Sequence, residues 1–220
     1  MKEKKFVSKL HSSTKRNYLE RMKNDKVFCM KIAKKFGQKY WDGERKYGYG
    51  GYRYIKNRWK PVALNLIKTY KLNSNSKILD IGCGKGYLLY EIKKIIPKIQ
   101  VFGFDISKYG ISKSKKEIKK FLYLNKAQNK YKFRNKYFDL SISLGVLHNL
   151  YLKEISIALK EINRVSKKSY IMVESYRNDK ELFNLQCWAL TCKSFLAPDD
   201  WKWFLKKNNY KGDIEFIYFT

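Results

Sequence analysis

The sequence is poor in proline and histidine, and it has no long apolar run. Its 220 residues include three prolines, and no Pro-, Gly- or Ser-rich stretch marks a linker between domains. Two histidines and four cysteines, with no close cysteine pair, indicate neither a metal site nor a disulfide framework. No apolar run approaches the ~20 residues of a membrane span, and the basic N-terminus lacks the apolar stretch of a secretion signal. We therefore expect a cytoplasmic protein with no membrane span and no metal.

Acidic residues are scarce relative to basic ones. There are 19 Asp and Glu against 49 Lys and Arg, which gives a net charge of +30. Hydrophobic residues make up 44% of the chain and aromatic residues 16%, a composition typical of a globular protein rather than a disordered one. Only eight of the cations are Arg, the residue that phosphate and guanine sites favour. We expect a solvated basic surface, with a nucleic-acid partner as the less favoured interpretation.

Residues 1–72 are predicted to form an N-terminal helical and Gly/Tyr-rich lid segment. Residues 1–13 have the character of a loose basic tail, and the apolar spacing over Thr14–Phe36 predicts one or two helices. The stretch Tyr40–Tyr54 is dense in glycine and tyrosine, and aromatic rings on a flexible loop suit a lid that closes over a ligand. Packing of the same aromatics against the sheet is the alternative. A further helix is expected over residues 61–70.

Residues 73–220 alternate between strand and helix patterns. This alternation predicts an α/β fold in which a mostly parallel sheet carries helices on both faces. The predicted strands are Lys77–Ile81, Gln100–Phe104, Phe138–Leu144, Tyr170–Val173 and Ile214–Phe219, and the predicted helices are Tyr87–Ile96, Ile111–Phe121, Glu154–Val165 and Trp201–Asn208. Ligands bind such sheets beyond the carboxyl ends of the strands, so we expect the site there.

The most informative segment is Asp80-Ile-Gly-Cys-Gly-Lys-Gly86, which follows a buried strand and precedes a helix. Glycines at these places let the backbone turn tightly and let a ligand approach without meeting a Cβ. A dinucleotide-binding fingerprint would need its third glycine at position 87, which is Tyr. A nucleoside-triphosphate loop would need Ser or Thr after Lys85, which is followed by Gly86. Neither phosphate-binding motif fits.

This glycine-rich segment resembles the first motif of the class I S-adenosylmethionine-dependent methyltransferases. The resemblance covers about residues 76–175 and includes Asp105 after the second strand and the segment Phe138–Leu150 in the expected order. It implies a Rossmann-like three-layer sandwich with six or seven strands, a seventh lying in the 184–196 segment if present. The chain looks like small bacterial members of the family whose acceptor is uncharacterised.

The resemblance also implies roles for particular residues around S-adenosylmethionine. Asp80 would orient the loop and the amino-acid part of the cofactor, and Asp105 would receive the two ribose hydroxyls. A carboxylate suits adjacent hydroxyls because they donate and it accepts. Relatives often bind the adenine amino group with an acid where this chain has Lys126, which leaves the backbone, Ala127 or Asn125 for that contact. The implied cofactor-binding set is Asp80, Gly82, Gly84, Gly86, Asp105, Ile106, Ala127 and Leu144.

Two residues near the expected acceptor position are candidate catalytic groups. His148 follows the fourth strand, and Glu174 ends the fifth, so both are expected in the same crevice. Either could take a proton from a hydroxyl or amine acceptor. The alternatives are a packing or capping role for His148 and an ion pair with Arg177 or Lys180 for Glu174.

The acceptor itself is the least determined part of the prediction. Aromatic and basic residues of the lid and of the segment after the fifth strand are the candidate substrate contacts, namely Tyr47, Tyr49, Trp59, Tyr176 and Arg177. Because no target-recognition domain is visible, we expect a small-molecule or sugar-containing acceptor. The alternatives are an RNA or protein methyltransferase recruited by positive charge, and a non-catalytic cofactor-binding module. The oligomeric state and the methylated atom stay open.

Overall fold

A computed structural model describes residues 1–50 and 52–220, which is every residue except Gly51. Within them, six strands form one sheet in the order β3-β2-β1-β4-β5-β6, and every strand pairing is parallel. The strands are β1 (Lys77–Ile81), β2 (Gln100–Asp105), β3 (Leu122–Leu124), β4 (Phe138–Leu144), β5 (Ser166–Glu174) and β6 (Asp213–Ile217). The α/β prediction is confirmed, and the sheet has six strands rather than seven over this part of the chain.

Eleven α-helices and two single-turn 3₁₀ helices are found in the described residues. The helices are α1 (Ser8–Ser12), α2 (Tyr18–Lys23), α3 (Lys26–Ala33), α4 (Gln38–Asp42), α5 (Lys60–Tyr70), α6 (Tyr87–Ile95), α7 (Lys108–Ser112), α8 (Lys116–Lys119), α9 (Leu152–Val165), α10 (Asp179–Trp188) and α11 (Pro198–Lys207). The 3₁₀ turns are Arg45–Tyr47 and Leu147–Asn149. None of these helices is long and apolar enough to cross a membrane.

The sheet is covered on both faces because its strands are apolar on both sides. Ile78 of β1 packs with α5 and α6, whereas the next residue, Leu79, packs with α9 and α11. Consecutive strand residues point to opposite faces, so a strand that is buried on both faces reads as a continuous apolar run. Helix α9 buries one stripe at helical spacing, formed by Ile155, Ala158, Leu159 and Ile162. The result is a three-layer arrangement.

The strand order reverses direction at β1. The chain runs outward from β1 to β2 and β3, and then returns to place β4 on the other side of β1. Loops that leave the carboxyl ends of β1 and β4 therefore diverge and leave a crevice between them. The glycine-rich segment after β1 and the turn after β4 both open on this crevice.

The N-terminal tail prediction was wrong, because residues 1–13 are ordered against the last strand. Glu3 forms a parallel bridge with Ile214, and the Lys4 N–H donates to the Ile214 carbonyl at 2.8 Å. The backbone N–H groups of Phe6, Val7 and Ser8 all donate to the buried Glu215 carboxylate, at 2.6, 2.9 and 2.6 Å. We call residues 3–16 the N-terminal strap. Its anchor is a single acid in β6, more than 200 residues away, which no local pattern reveals.

Two further stretches differ from prediction. Residues 111–121 form parts of two short helices rather than one, because the helix is interrupted at residues 113–115. The 184–196 segment contributes no strand. Residues 179–188 are helical instead, and the Asn178 side chain caps the helix by accepting from the Glu181 N–H at 3.0 Å.

Candidate active site

The glycine-rich segment, which we call the glycine loop (residues 82–86), turns sharply out of β1. Gly82 and Gly84 have φ of +77° and +55°, a region that favours glycine. A Cβ on Gly82 would lie 2.2 Å from a Val146 methyl carbon, and one on Gly84 would lie 2.7 Å from the Trp41 ring. Both positions therefore require glycine for conformation and for space. Alanine at either would displace the loop from the crevice.

Two buried acids lie beneath the glycine loop. Asp105, at the end of β2, accepts from the Gly84 N–H at 2.8 Å and from the Ser107 N–H at 2.7 Å, so it fixes the loop's position. Burial raises the pKa of Asp105. Burial and the neighbouring Asp105 together raise the pKa of Asp80 to about 8. The site therefore holds two carboxyl groups whose charged forms are disfavoured, which a cationic or hydroxyl-rich ligand would relieve.

A cavity of about 1070 Å³ opens at the carboxyl edge of the sheet. This is at the top of the size range of ligand pockets, large enough for a nucleoside-containing cofactor together with a second small molecule. Eleven of the residues predicted for the site line it: Tyr49, Trp59, Asp80, Gly82, Gly84, Asp105, Ile106, Ala127, Leu144, His148 and Glu174.

Four other predicted residues do not line this cavity. Gly86 precedes α6, and Tyr47 packs edge-on against Phe28. Tyr176 packs in the cluster around Leu185, and the exposed Arg177 forms an ion pair with Glu181. The two candidates from the segment after β5 are thus engaged away from the crevice.

The Gly/Tyr-rich stretch 40–54 is packed against the glycine loop, apart from Gly51, which is outside the described residues. Trp41 donates its indole N–H to the Ser107 hydroxyl at 2.7 Å and to the Phe36 carbonyl at 3.0 Å. Asp42 pairs with the buried Lys85 at 2.6 Å. These contacts attach α4 to both loops that follow β1 and β2. Movement of this stretch as a lid stays a prediction.

The buried Arg21 side chain holds the stretch 40–54 in place through hydrogen bonds to backbone carbonyls. Its Nε, Nη1 and Nη2 groups donate to the carbonyls of Trp188, Arg45 and Gly48, at 2.8, 2.9 and 2.7 Å. The guanidinium carbon also lies 4.2 Å from the centre of the Trp188 ring. Sequence patterns do not identify this role of Arg21, because its partners are backbone carbonyls in two separate segments, around residues 45–48 and at Trp188.

His148 and Glu174 lie side by side at the far end of the cavity. The Glu174 N–H donates to His148 Nδ1 at 3.1 Å, so the proton of the neutral imidazole is assigned to Nε2, which lies 3.4 Å from Glu174 Oε2. Burial lowers the pKa of His148 to about 3, and the contact is therefore not an ion pair. Burial raises the pKa of Glu174 to about 7, although the positive charges of Arg16 and Arg21 act to lower it.

Of the two, Glu174 has the properties of a proton acceptor. Its Oε2 atom is buried without a hydrogen-bond partner among the described residues, and its pKa lies near neutrality. In His148 the lone pair of Nδ1 is already occupied and Nε2 carries a proton. The imidazole therefore packs beside Glu174, with Nε2 at 3.4 Å from Oε2 but without a hydrogen bond to it.

Sequence reasoning missed the wall of the cavity that the N-terminal strap forms. Val7, Leu10, His11, Thr14 and Arg16 all line the cavity. The available sequence signal for this wall was the pair of apolar residues Val7 and Leu10, three positions apart. Two residues are too few to distinguish an amphipathic pattern from chance. The wall depends on the Glu215 anchor, and without that contact the same residues would be solvated.

Comparisons with known proteins agree with this geometry. The family described as "Methyltransferase domain" matches residues 72–210, well over half of the chain. A malonyl-acyl-carrier-protein O-methyltransferase of Legionella pneumophila is 29% identical over 92 residues, which are 40% of this chain and 32% of that enzyme. The enzyme of the same name from Bacillus anthracis is 28% identical over 78 residues, 33% of this chain and 29% of that enzyme. The chain thus spans about a third of these relatives.

The fold is also shared with solved structures. The YcgJ protein of Bacillus subtilis superposes with a TM-score of 0.53 at 17% identity, covering 66% of each chain. The Rossmann-like prediction is thereby confirmed, and so is the family that the glycine loop indicated. With its parallel sheet, its glycine loop and this match over most of its length, the chain belongs to the methyltransferase domain family.

Proposed function

We propose that the protein is an S-adenosylmethionine-dependent methyltransferase that acts on a small-molecule acceptor inside the cavity. One observation supports this most strongly. A single cavity, walled by the strap and by α4, joins the acids at the glycine loop to the unpartnered carboxyl of Glu174. A cofactor site and an acceptor site would then share one space from which water can be excluded.

The residues around the glycine loop fit the cofactor. The cofactor's amino group is cationic, and a cation beside Asp80 would favour the charged carboxylate that burial disfavours. Each Asp105 oxygen accepts one backbone N–H and retains a further lone pair for a ribose hydroxyl. Ile106 is 50% exposed beside this acid, so its apolar side chain is free to pack against adenine. Ala127, buried nearby, offers a small apolar surface at the same position.

Glu174 would act on the acceptor. When bound, S-adenosylmethionine supplies an activated methyl group on a sulfonium and is released as S-adenosylhomocysteine. If the acceptor is a hydroxyl, its oxygen gains the methyl and its proton passes to the Glu174 carboxylate. His148 packs beside that carboxylate, and the buried position excludes water from the transfer. The names of the two curated relatives, both O-methyltransferases, support an oxygen acceptor.

The acceptor class is tested by following labelled methyl groups. The protein would be incubated with methyl-labelled S-adenosylmethionine and with separated small-molecule, RNA and protein fractions of a cell extract. The proposal predicts transfer to the small-molecule fraction. Transfer to RNA or protein alone would contradict the proposed acceptor, and cofactor binding without transfer to any fraction would favour a non-catalytic module.

The role of Glu174 predicts a particular pH dependence. The base works only when deprotonated, and its pKa is raised to about 7, so the rate should fall as the pH is lowered through 7 and level off above it. Glu174→Gln should lower turnover by about 10²-fold or more and remove this dependence. Turnover from pH 5.5 to 9 is the measurement. Glu154→Gln is the matched control, because Glu154 also lines the cavity but binds Gln128 and Lys193. Equal pH profiles for wild type and Glu174→Gln would exclude Glu174 as the base.

A further inference from the structure

We propose that the acceptor carries an anionic oxygen group, a carboxylate or a phosphate, and that Arg16 of the N-terminal strap binds it. The inference rests on the proposed function, since it concerns the acceptor half of the same cavity. It adds the charge of the acceptor and the residue that recognises it.

Arg16 is held rigidly in the cavity wall. Its Nη1 donates to the carbonyls of His11 and Thr14 at 3.1 and 3.0 Å, and its Nη2 donates to His11 Nδ1 at 3.1 Å. A guanidinium has five N–H groups, so Nε–H and one Nη2–H are left over. Nε is buried without a partner among the described residues. A fixed guanidinium with unused donors is suited to a carboxylate or a phosphate.

The charge of Arg16 is not neutralised by its neighbours. Within the described part of the chain, it forms no ion pair with a carboxylate. The His11 ring accepts from Arg16 through Nδ1, and the Tyr218 carbonyl oxygen lies 3.0 Å from His11 Nε2, which is therefore the protonated nitrogen of a neutral ring. Burial and the Arg16 charge lower the pKa of His11 to about 4. His11 thus orients the guanidinium without neutralising it, and the Glu174 carboxyl is the acid that interacts with the Arg16 charge at longer range.

The Arg16 guanidinium lies over two aromatic rings of the cavity wall. The Arg16 guanidinium carbon lies 5.5 and 5.4 Å from the ring centres of Trp188 and Phe219, which both line the cavity. Arg45 reaches the same Trp188 ring at 5.3 Å. Arg21 lies 4.2 Å from the same ring centre. Three cations around one indole make this wall strongly positive, and in a cavity of low dielectric such a wall favours an anion.

Glu174 is a second cavity residue with an unpaired buried polar atom in the described part of the chain. It lines the same cavity and also lacks a hydrogen-bond partner for one buried oxygen. The described residues that line the cavity therefore include one with an unpaired buried donor, Arg16, and one with an unpaired buried acceptor, Glu174. An acceptor that carries an anionic group and a separate hydroxyl satisfies both.

The test compares charged probes with their neutral counterparts. Calorimetry would measure binding of malonate and malonamide, of benzoate and benzamide, and of glucose 6-phosphate and glucose, to protein loaded with S-adenosylhomocysteine. We expect the charged member of at least one pair to bind about tenfold more tightly than the neutral one. The pair that shows this preference distinguishes a carboxylate from a phosphate.

Variants separate recognition from a merely structural role. Arg16→Gln should abolish the preference for the charged probe, because it removes the guanidinium charge. Arg16→Lys should retain part of the preference, since it keeps a charge but loses the planar fork. Arg134→Gln removes the same charge from an exposed position outside the cavity lining and should leave the preference unchanged. If Arg16→Gln only loosened the strap, binding of charged and neutral probes would fall together.

Two results would overturn the inference. One is the absence of any preference for charged probes, and the other is an unchanged preference in Arg16→Gln. Binding of S-adenosylhomocysteine is measured first in the same protein. If it binds and no anion is preferred, only this inference fails, whereas anion binding by a protein that does not bind S-adenosylhomocysteine would count against the proposed function.

Discussion

Replacing Asp80 with Asn is expected to raise the thermal stability of the unliganded protein while abolishing its binding of S-adenosylhomocysteine. The folded state raises the pKa of Asp80 from 3.8 to about 8 because the carboxyl is buried beside Asp105. Between these values the folded state holds a proton that the unfolded state has lost, so stability falls as the pH rises through this window. Asn carries no charge, so the variant does not bear the free-energy cost of ionising a buried carboxyl. It also cannot form an ion pair with a cationic amino group.

The measurement is the melting temperature of both proteins from pH 5 to 9. At pH 8 and above, Asp80→Asn should melt about 5 °C higher, and the gap should narrow as the pH falls towards 5. S-adenosylhomocysteine should raise the melting temperature of the wild type alone, because only that protein binds it. A variant that melts lower than the wild type at pH 8, or that retains cofactor binding, would show that Asp80 has a structural role.

Replacing Glu215 with Ala is expected to detach the N-terminal strap and to destabilise the protein by about 3 kcal/mol or more. The carboxylate is fully buried and accepts from the N–H groups of Phe6, Val7 and Ser8. The hydroxyls of Ser8 and Tyr170 donate to it as well, at 2.6 and 2.5 Å. Alanine would leave several buried donors unpaired. Glu215→Gln should have a smaller effect, since one amide oxygen can still accept.

Hydrogen exchange would show whether the strap is the part affected. In Glu215→Ala the amides of residues 6–8 should lose their protection, while those of β1 and β4 keep theirs. The acceptor half of the cavity would lose its wall, so methyl transfer should fall more than cofactor binding does. Uniform loss of protection over the whole sheet would contradict a role confined to the strap.

The sheet and the glycine loop at its carboxyl edge could be predicted because their determinants are local. The bounds of β1 and β4 follow from apolar runs that end directly before Gly82 and Gly145, and the glycine loop lies between β1 and α6. Asp80 and Asp105 stand out in the same way, because each is an acid near the carboxyl end of a buried strand. A pattern of this kind is contained within about thirty residues and needs no distant partner.

The acceptor half could not be predicted because it depends on contacts across the chain. Arg16 and Val7 line the cavity only because Glu215, over 200 residues away, holds the strap against β6. The role of Arg21 is recognised only once its three carbonyl partners are in place. Lysine-rich stretches also obscured helix boundaries, as in the region of α7 and α8.

The central claim is that the cavity at the glycine loop binds S-adenosylmethionine. Isothermal titration calorimetry of the wild-type protein with S-adenosylhomocysteine tests it most directly, because the product analogue binds without turnover. We predict one site per chain with a dissociation constant of about micromolar or lower, corresponding to about −8 kcal/mol or better. The absence of binding for both S-adenosylhomocysteine and S-adenosylmethionine would contradict the account.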